Sequence, residues 1–187
     1  MVRIVAGTAR GRKLETPEGL DTRPTLDRVK EAAMGSLQFR LAGSRVLDLF
    51  SGSGNLGIEA LSRGASFAVF NDYAQNCASI IRQNVQTLGF SERALVWNLD
   101  YAAALKELSD RGERFDIVFL DAPYRNGLGE QAARKVLELG LLKEDGVLYL
   151  EYATDEPPKA PFDGMRIYKE KRCGACSFVL MEREEQR

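Results

Sequence analysis

Residues 46–57, Val-Leu-Asp-Leu-Phe-Ser-Gly-Ser-Gly-Asn-Leu-Gly, constrain the fold of this chain more than any other segment. A short, almost continuously apolar run passes through glycines straight into the apolar helical stretch 56–63. A strand that greasy must be covered on both faces, which is the situation of a strand inside a parallel sheet. Comparable runs recur at 45–50, 67–71, 94–98, 116–120 and 147–152. Helical spacing lies between them: in 74–88, Ala78, Ile81, Val85 and Leu88 form one stripe that ends at Gly89, where a left-handed cap costs little. Upstream, 25–41 places Leu26, Val29, Ala33 and Leu37 on one stripe behind Pro24. Past Tyr152 the rhythm changes, and 165–171 with 176–181 read as two strands about a turn containing Gly174. The expectation is an α/β chain whose parallel sheet ends in an antiparallel pair, with a small hairpin at 2–14 outside it.

The chain has 187 residues, 44% of them apolar, enough for one domain with a sizeable core. It contains no histidine, which removes Ser/His/Asp and Cys/His triads, imidazole-based zinc sites and any histidine general base. Three cysteines do not suggest a disulfide framework, and the first residues lack the apolar run of a secretory signal, so a reducing, cytoplasmic setting is expected. No apolar stretch approaches the roughly 20 residues that span a bilayer. Cys173 and Cys176 have the spacing of a metal pair, but with Cys77 alone besides them and no histidine the set is incomplete; the segment reads as a turn and no metal is expected.

The net charge is −1, unevenly placed: residues 1–30 sum to +3 and the remainder to −4. The chain therefore divides into a basic extension, 1–24, and a mildly acidic body, 25–187. Arg3, Arg10, Arg12, Lys13, Arg23, Arg28 and Lys30 make up the basic set, suited either to RNA phosphates or to an ordinary solvated face.

Gly52, Gly54 and Gly57 satisfy the dinucleotide fingerprint as a bare pattern, and a packing turn with no ligand satisfies it equally. Asp48 helps choose a cofactor, because a pyrophosphate over this loop would meet a carboxylate at the carboxyl end of the same strand. S-adenosylmethionine carries an ammonium and a sulfonium, offers a carboxylate to a helix N-terminus, and suits an acidic rim better. Asp72, Asp100 and Asp121 stand at or just beyond later strand ends, each also readable as a cap or turn residue. At Asp121-Ala122-Pro123-Tyr124 a carboxylate, a rigid turn and an aromatic face emerge together. That set suits methyl transfer to an exocyclic base amine: Asp121 and a turn carbonyl accept the amine hydrogens and aim its lone pair, Pro123 fixes the turn, and Tyr124 stacks the base. No strong base is needed, in keeping with the absent histidine.

Asp48 and Phe50 with the glycine loop, then Asp72, Asp100 and Asp121-Ala122-Pro123-Tyr124, resemble the ordered motifs of class I S-adenosylmethionine-dependent methyltransferases. More narrowly, Arg3-Ile4-Val5-Ala6-Gly7, Gly11-Arg12-Lys13-Leu14, Thr22-Arg23-Pro24-Thr25 and Asp27-Arg28-Val29-Lys30-Glu31 resemble the RsmD family, bacterial enzymes that methylate guanine N2 in 16S ribosomal RNA. The resemblance implies a Rossmann-like, seven-stranded, mostly parallel sheet with one antiparallel edge strand. It further implies a target guanine in small-subunit RNA, on an assembling particle. It would place Asp48, Gly52, Gly54 and Gly57 on the methionyl side of the cofactor, Asp72 on its ribose and Asp100 on its adenine, with Phe50 a further cofactor-binding residue. Asp121, Pro123 and Tyr124 would hold the target base and the basic residues RNA, with Arg23, just before a helix start, the one candidate among them for a role inside the site. The chain departs from the family at Ala122, where proline is usual, and at Ala33-Met34-Gly35-Ser36, which is less bulky than the usual apolar run. Adenine N6 or a glutamine amide as acceptor, a nicotinamide-dependent oxidoreductase and a non-catalytic RNA-binding module remain as alternatives. With no evident apolar seam left exposed, a monomer is expected.

Overall fold

The structure, a computed structural model, describes residues 2–17, 24–124 and 127–184, with residues 24–27 described by their backbone alone. Arg23 therefore lies outside the described residues. In chain order the elements are β1 (Val2–Arg3), β2 (Lys13–Leu14), α1 (Pro24–Leu41), β3 (Arg45–Asp48), α2 (Asn55–Ser62), β4 (Phe67–Asn71) and α3 (Gln75–Thr87). There follow β5 (Ala94–Trp97), α4 (Tyr101–Asp110), β6 (Phe115–Leu120), α5 (Leu128–Glu138), β7 (Leu142–Ala153), β8 (Met165–Cys173) and β9 (Cys176–Arg183).

Seven strands form one sheet in the order β5-β4-β3-β6-β7-β9-β8. The first five are mutually parallel, and β9 runs against both its neighbours. The antiparallel strand thus sits one place in from the edge, with β8 outermost. Side chains alternate between two cores. Val46, Ile117, Phe119, Val147 and Tyr149 face α1, α2 and α3, whereas Leu47, Val118, Leu120, Leu148 and Leu150 face α4 and α5. Both faces being dry is what makes these strands read as unbroken apolar runs. From β3 the chain builds outward through β4 to β5, then returns to place β6 on the other flank of β3. This reversal opens a crevice beyond the carboxyl ends of β3 and β6.

β1 and β2 pair in register Val2↔Leu14 and Arg3↔Lys13 as a separate two-stranded sheet. It is seated on α2 rather than left free. The buried Glu59 carboxylate accepts the amides of Val5 (2.8 Å) and Ala6 (3.0 Å), and Ser62 Oγ donates to Ala6 O (2.6 Å) while accepting from the Ala9 amide (3.0 Å). Gly7 (φ +85°) lies so close to this helix that a Cβ there would stand 1.9 Å from Ser62 O. Val2, Ile4, Ala9 and Leu14 join the core beneath.

Lys30 belongs to the same joint, which corrects its reading as part of a phosphate-holding cluster. Only 2% exposed, it donates to Arg3 O (2.5 Å) and Asn55 Oδ1 (2.9 Å) and stands 3.7 Å from Glu59. A charge count cannot distinguish a lysine turned into the protein from one turned to solvent. Arg3, Arg10, Arg12, Lys13 and Arg28 are exposed.

Candidate active site

β3 delivers Asp48 to the crevice floor, where it is 1% exposed. Past it the chain turns through Gly52 (φ +55°) and Gly54 (φ +82°) into α2, a left-handed path that glycine takes without strain. Gly57 meets a different demand. A Cβ there would lie 2.3 Å from Phe70 Cε1 and 3.1 Å from Asp48 Oδ2, so only glycine lets the helix start pack on β4.

The loop amides are engaged by the protein's own carboxylates. Gly57 N–H donates to Asp48 Oδ2 (2.9 Å) and Gly52 N–H to Asp72 Oδ2 (2.8 Å), while Asp72 Oδ1 also accepts from Ala74 N–H (2.9 Å). Burial raises the Asp48 carboxyl to about 7; the Gly57 amide pulls the other way, and the neighbouring Asp72 charge adds to the rise. Asp100 caps α4 by accepting from Ala102 N–H (2.9 Å), and Phe50 packs on Tyr101 with ring centroids 5.7 Å apart.

Across the crevice, Asp121 directly follows β6 and β7 carries Glu151, a carboxylate 5% exposed. Tyr124 Oη donates to Glu151 Oε1 and Tyr149 Oη to Glu151 Oε2, both at 2.6 Å, and Tyr124 Oη lies 3.1 Å from Cys176 Sγ. Burial drives the Asp121 carboxyl well above the usual range, with repulsion from Glu151 and Asp48 adding to it. Burial also raises Glu151, partly offset by the two tyrosine hydroxyls. Burial first, then the Glu151 charge, pushes the Tyr124 hydroxyl up as well, so it stays a neutral donor.

These groups surround one cavity of about 790 Å³. Asp48, Phe50, Gly52, Asp72, Asp100, Asp121, Pro123 and Tyr124 line it; Gly54 and Gly57 shape its loop from behind. Four large apolar side chains are exposed among the described residues; two of them, Tyr73 and Tyr124, line this cavity, and Leu99 follows the carboxyl end of β5. The exposed basic residues Arg3, Arg10, Arg12 and Lys13 belong to the hairpin, whose Val2 reaches the cavity wall. Arg3 donates to Gly11 O and Arg12 to Thr87 O.

The family model described as conserved hypothetical protein 95 matches residues 2–182. The chain belongs to this family, the RsmD family indicated by its motifs. It is 40% identical over 182 residues to the ribosomal RNA small subunit methyltransferase D of Haemophilus influenzae, covering 97% of this chain and 93% of that protein. The Escherichia coli K12 protein of the same name is 33% identical over 186 residues, covering 99% and 91%. The solved structure of yhhF from Escherichia coli superposes with a TM-score of 0.86 at 32% identity, covering 99% of each chain.

Within this RsmD-family site, the sequence reading missed Glu151, Tyr149 and Cys176. Glu151 had a signal: it is the one charge within 147–152, an otherwise apolar strand beside the one that Asp121 follows. Tyr149 lies two residues before Glu151 on the same strand, on the same face, so it follows once Glu151 is recognised; Cys176 had no signal, since its place beside Tyr124 depends on β9 lying against β7.

Proposed function

We infer that this RsmD-family chain transfers a methyl group from S-adenosylmethionine to small-subunit ribosomal RNA, with the exocyclic N2 amine of a guanine as acceptor. The observation that carries the cofactor choice is the engagement of Gly52 and Gly57 amides by Asp72 and Asp48. A dinucleotide loop turns its amides toward pyrophosphate; here two carboxylates already hold them, so the loop presents negative charge. That arrangement repels a pyrophosphate and attracts an ammonium and a sulfonium.

The donor supplies an electrophilic methyl group. Asp48, Phe50 and the glycine loop bind its methionyl part, Asp72 its ribose hydroxyls, and Asp100 its adenine. Asp121 accepts hydrogen from the target amine, which aims the nitrogen lone pair at the methyl carbon. Pro123 holds the turn and Tyr124, fixed by Glu151, offers its ring for stacking. Guanine fits a carboxylate-lined corner because N1–H and the N2 amine are adjacent donors, whereas adenine sets an acceptor beside its amine. Arg3, Arg10, Arg12, Lys13, Arg23 and Arg28 hold RNA phosphates around the flipped base. The chain works as a monomer on an assembling small subunit; Phe39, the one large exposed apolar side chain away from the strands' carboxyl ends among the described residues, lies on α1.

Incubation with labelled S-adenosylmethionine and undermethylated small-subunit particles should place the label in N2-methylguanosine; label in another nucleoside, or none in RNA, rejects the assignment. Calorimetry should give binding of S-adenosylmethionine and none of NAD. The sign of its pH dependence follows from Asp48. Below about 7 the carboxyl is protonated and attracts a cation weakly; above it, the carboxylate is present throughout. Affinity should therefore rise about tenfold between pH 6 and 8, and Asp48→Asn should bind weakly with that dependence flattened.

A further inference from the structure

Several basic side chains away from the cavity are paired with acids: Arg40 and Arg166 with Glu182, Arg45 with Glu113, Lys106 with Asp110, Arg111 with Glu107 and Lys143 with Asp116. Among the described cations without an ion pair, three stand together around one groove. Arg28, from the first turns of α1, and Lys171 and Arg172, from the end of β8, line a groove of about 680 Å³. All three are exposed, and no carboxylate among the described residues forms an ion pair with them; Glu31 is the single acid in the groove lining.

The topology places this groove beside the reaction site. β8 and β7 both run against β9, so they point the same way, and β8 ends on the rim that carries Asp48, Asp121 and Glu151. Cys173 at the groove faces Cys176 across the hairpin, and Cys176 Sγ is the atom 3.1 Å from Tyr124 Oη. The hairpin tip is held firmly. Thr154 N–H donates to Ala175 O (2.9 Å), and Thr154 Oγ1 donates to Gly174 O (2.8 Å). The cations are thus presented from a fixed wall, one hairpin turn from the tyrosine assigned to the target base.

Resting on the functional reading above, we propose that Arg28, Lys171 and Arg172 form a phosphate-binding groove for the RNA strand that flanks the flipped guanine. RNA carries a phosphate at every nucleotide, so a base held against Tyr124 brings neighbouring phosphates to the same rim. The acidic cavity cannot hold them, while an unneutralised basic groove beside it can. Lys171 and Arg172 come from the opposite end of the chain to the basic extension.

The test compares the full chain with Arg28→Gln/Lys171→Gln/Arg172→Gln, using small-subunit particles and labelled S-adenosylmethionine. The triple variant should show KM for the particle raised about 10- to 100-fold near physiological salt, with kcat and calorimetric S-adenosylmethionine affinity unchanged. Its log–log salt dependence of RNA binding should be shallower by about 2 to 3, as expected for about three lost phosphate contacts. Lys171→Arg should restore much of the loss in a variant that retains the other two cations. Equal KM and equal salt slope in wild type and triple variant would overturn the groove. If the wild-type chain transfers no methyl group, the functional reading fails, and filter binding to the particle then judges the groove: equal Kd for both proteins rejects it.

Discussion

Asp121→Ala is expected to lower kcat about 100- to 1,000-fold, the usual loss when one preorganised hydrogen-bonding group of a reaction site is removed, while S-adenosylmethionine binds within a few-fold of wild type. The reason is positional. Asp121 stands at the β6 side of the cavity against Glu151, whereas the loop that receives the donor is built by Asp48, Asp72 and the glycines on the β3 and β4 side. The substitution has a second, independently measurable effect. Asp48 and Glu151 both repel Asp121 and raise its carboxyl, so its removal relieves two buried like-charge contacts. Thermal stability should hold or rise, while the pH midpoint for cofactor binding, set at Asp48 by burial and by Asp72, should stay at about 7. Rapid-quench transfer assays and thermal unfolding read both effects, and calorimetry across pH 6 to 8 the midpoint; substantial transfer by the alanine variant would remove Asp121 from the reaction.

Glu59→Ala should be the most damaging single change to the fold outside the central sheet. Glu59 is fully buried, accepts from two hairpin amides and from Arg63 Nε (2.8 Å), and faces Lys30. Its loss takes the facing carboxylate from the buried Lys30 ammonium, which keeps Arg3 O and Asn55 Oδ1, and leaves two amides unpaired, a class of change that costs about 3–5 kcal/mol. For a chain of this size that corresponds to a fall in Tm of about 6 to 20 °C. Limited proteolysis should begin within residues 2–17, before the sheet is attacked. Glu59→Gln, which can still accept one amide, should lose less. A variant as stable as wild type and equally resistant to protease would show that the hairpin is held by its apolar contacts alone.

Much of this was legible because both faces of the sheet are dry. β4 falls at the expected limits, and β3, β5 and β6 within two residues of theirs, since a strand covered on both sides needs apolar residues at every position. The acids at the rim were legible for a related reason: in a parallel sheet the carboxyl ends of the strands face one way, so Asp48, Asp72 and Asp121 had to be neighbours. α4 and α5 did carry a helical stripe that the strand pattern alone passes over: Ala104, Leu105 and Leu108 share the buried face of one, and Ala132, Ala133 and Val136 that of the other. The burial of Lys30 and Glu59 was not read. Lys30 is one of several charges on α1, and only the meeting of α1 with α2 beneath the hairpin determines that it is buried; Glu59, the one charge within the apolar α2, had the same kind of signal as Glu151.

The seating of the hairpin has a consequence for the order in which the molecule assembles. Residues 2–15 leave the ribosome early, yet their partners are Glu59 and Ser62 and, for Glu15, the side chain of Asn84, whose Oδ1 accepts the Glu15 amide at 2.9 Å. Their berth does not exist until synthesis has passed α3. Until then Ile4 and Leu14 lack the helices that bury them, so this half of the molecule closes only after α3 has been made.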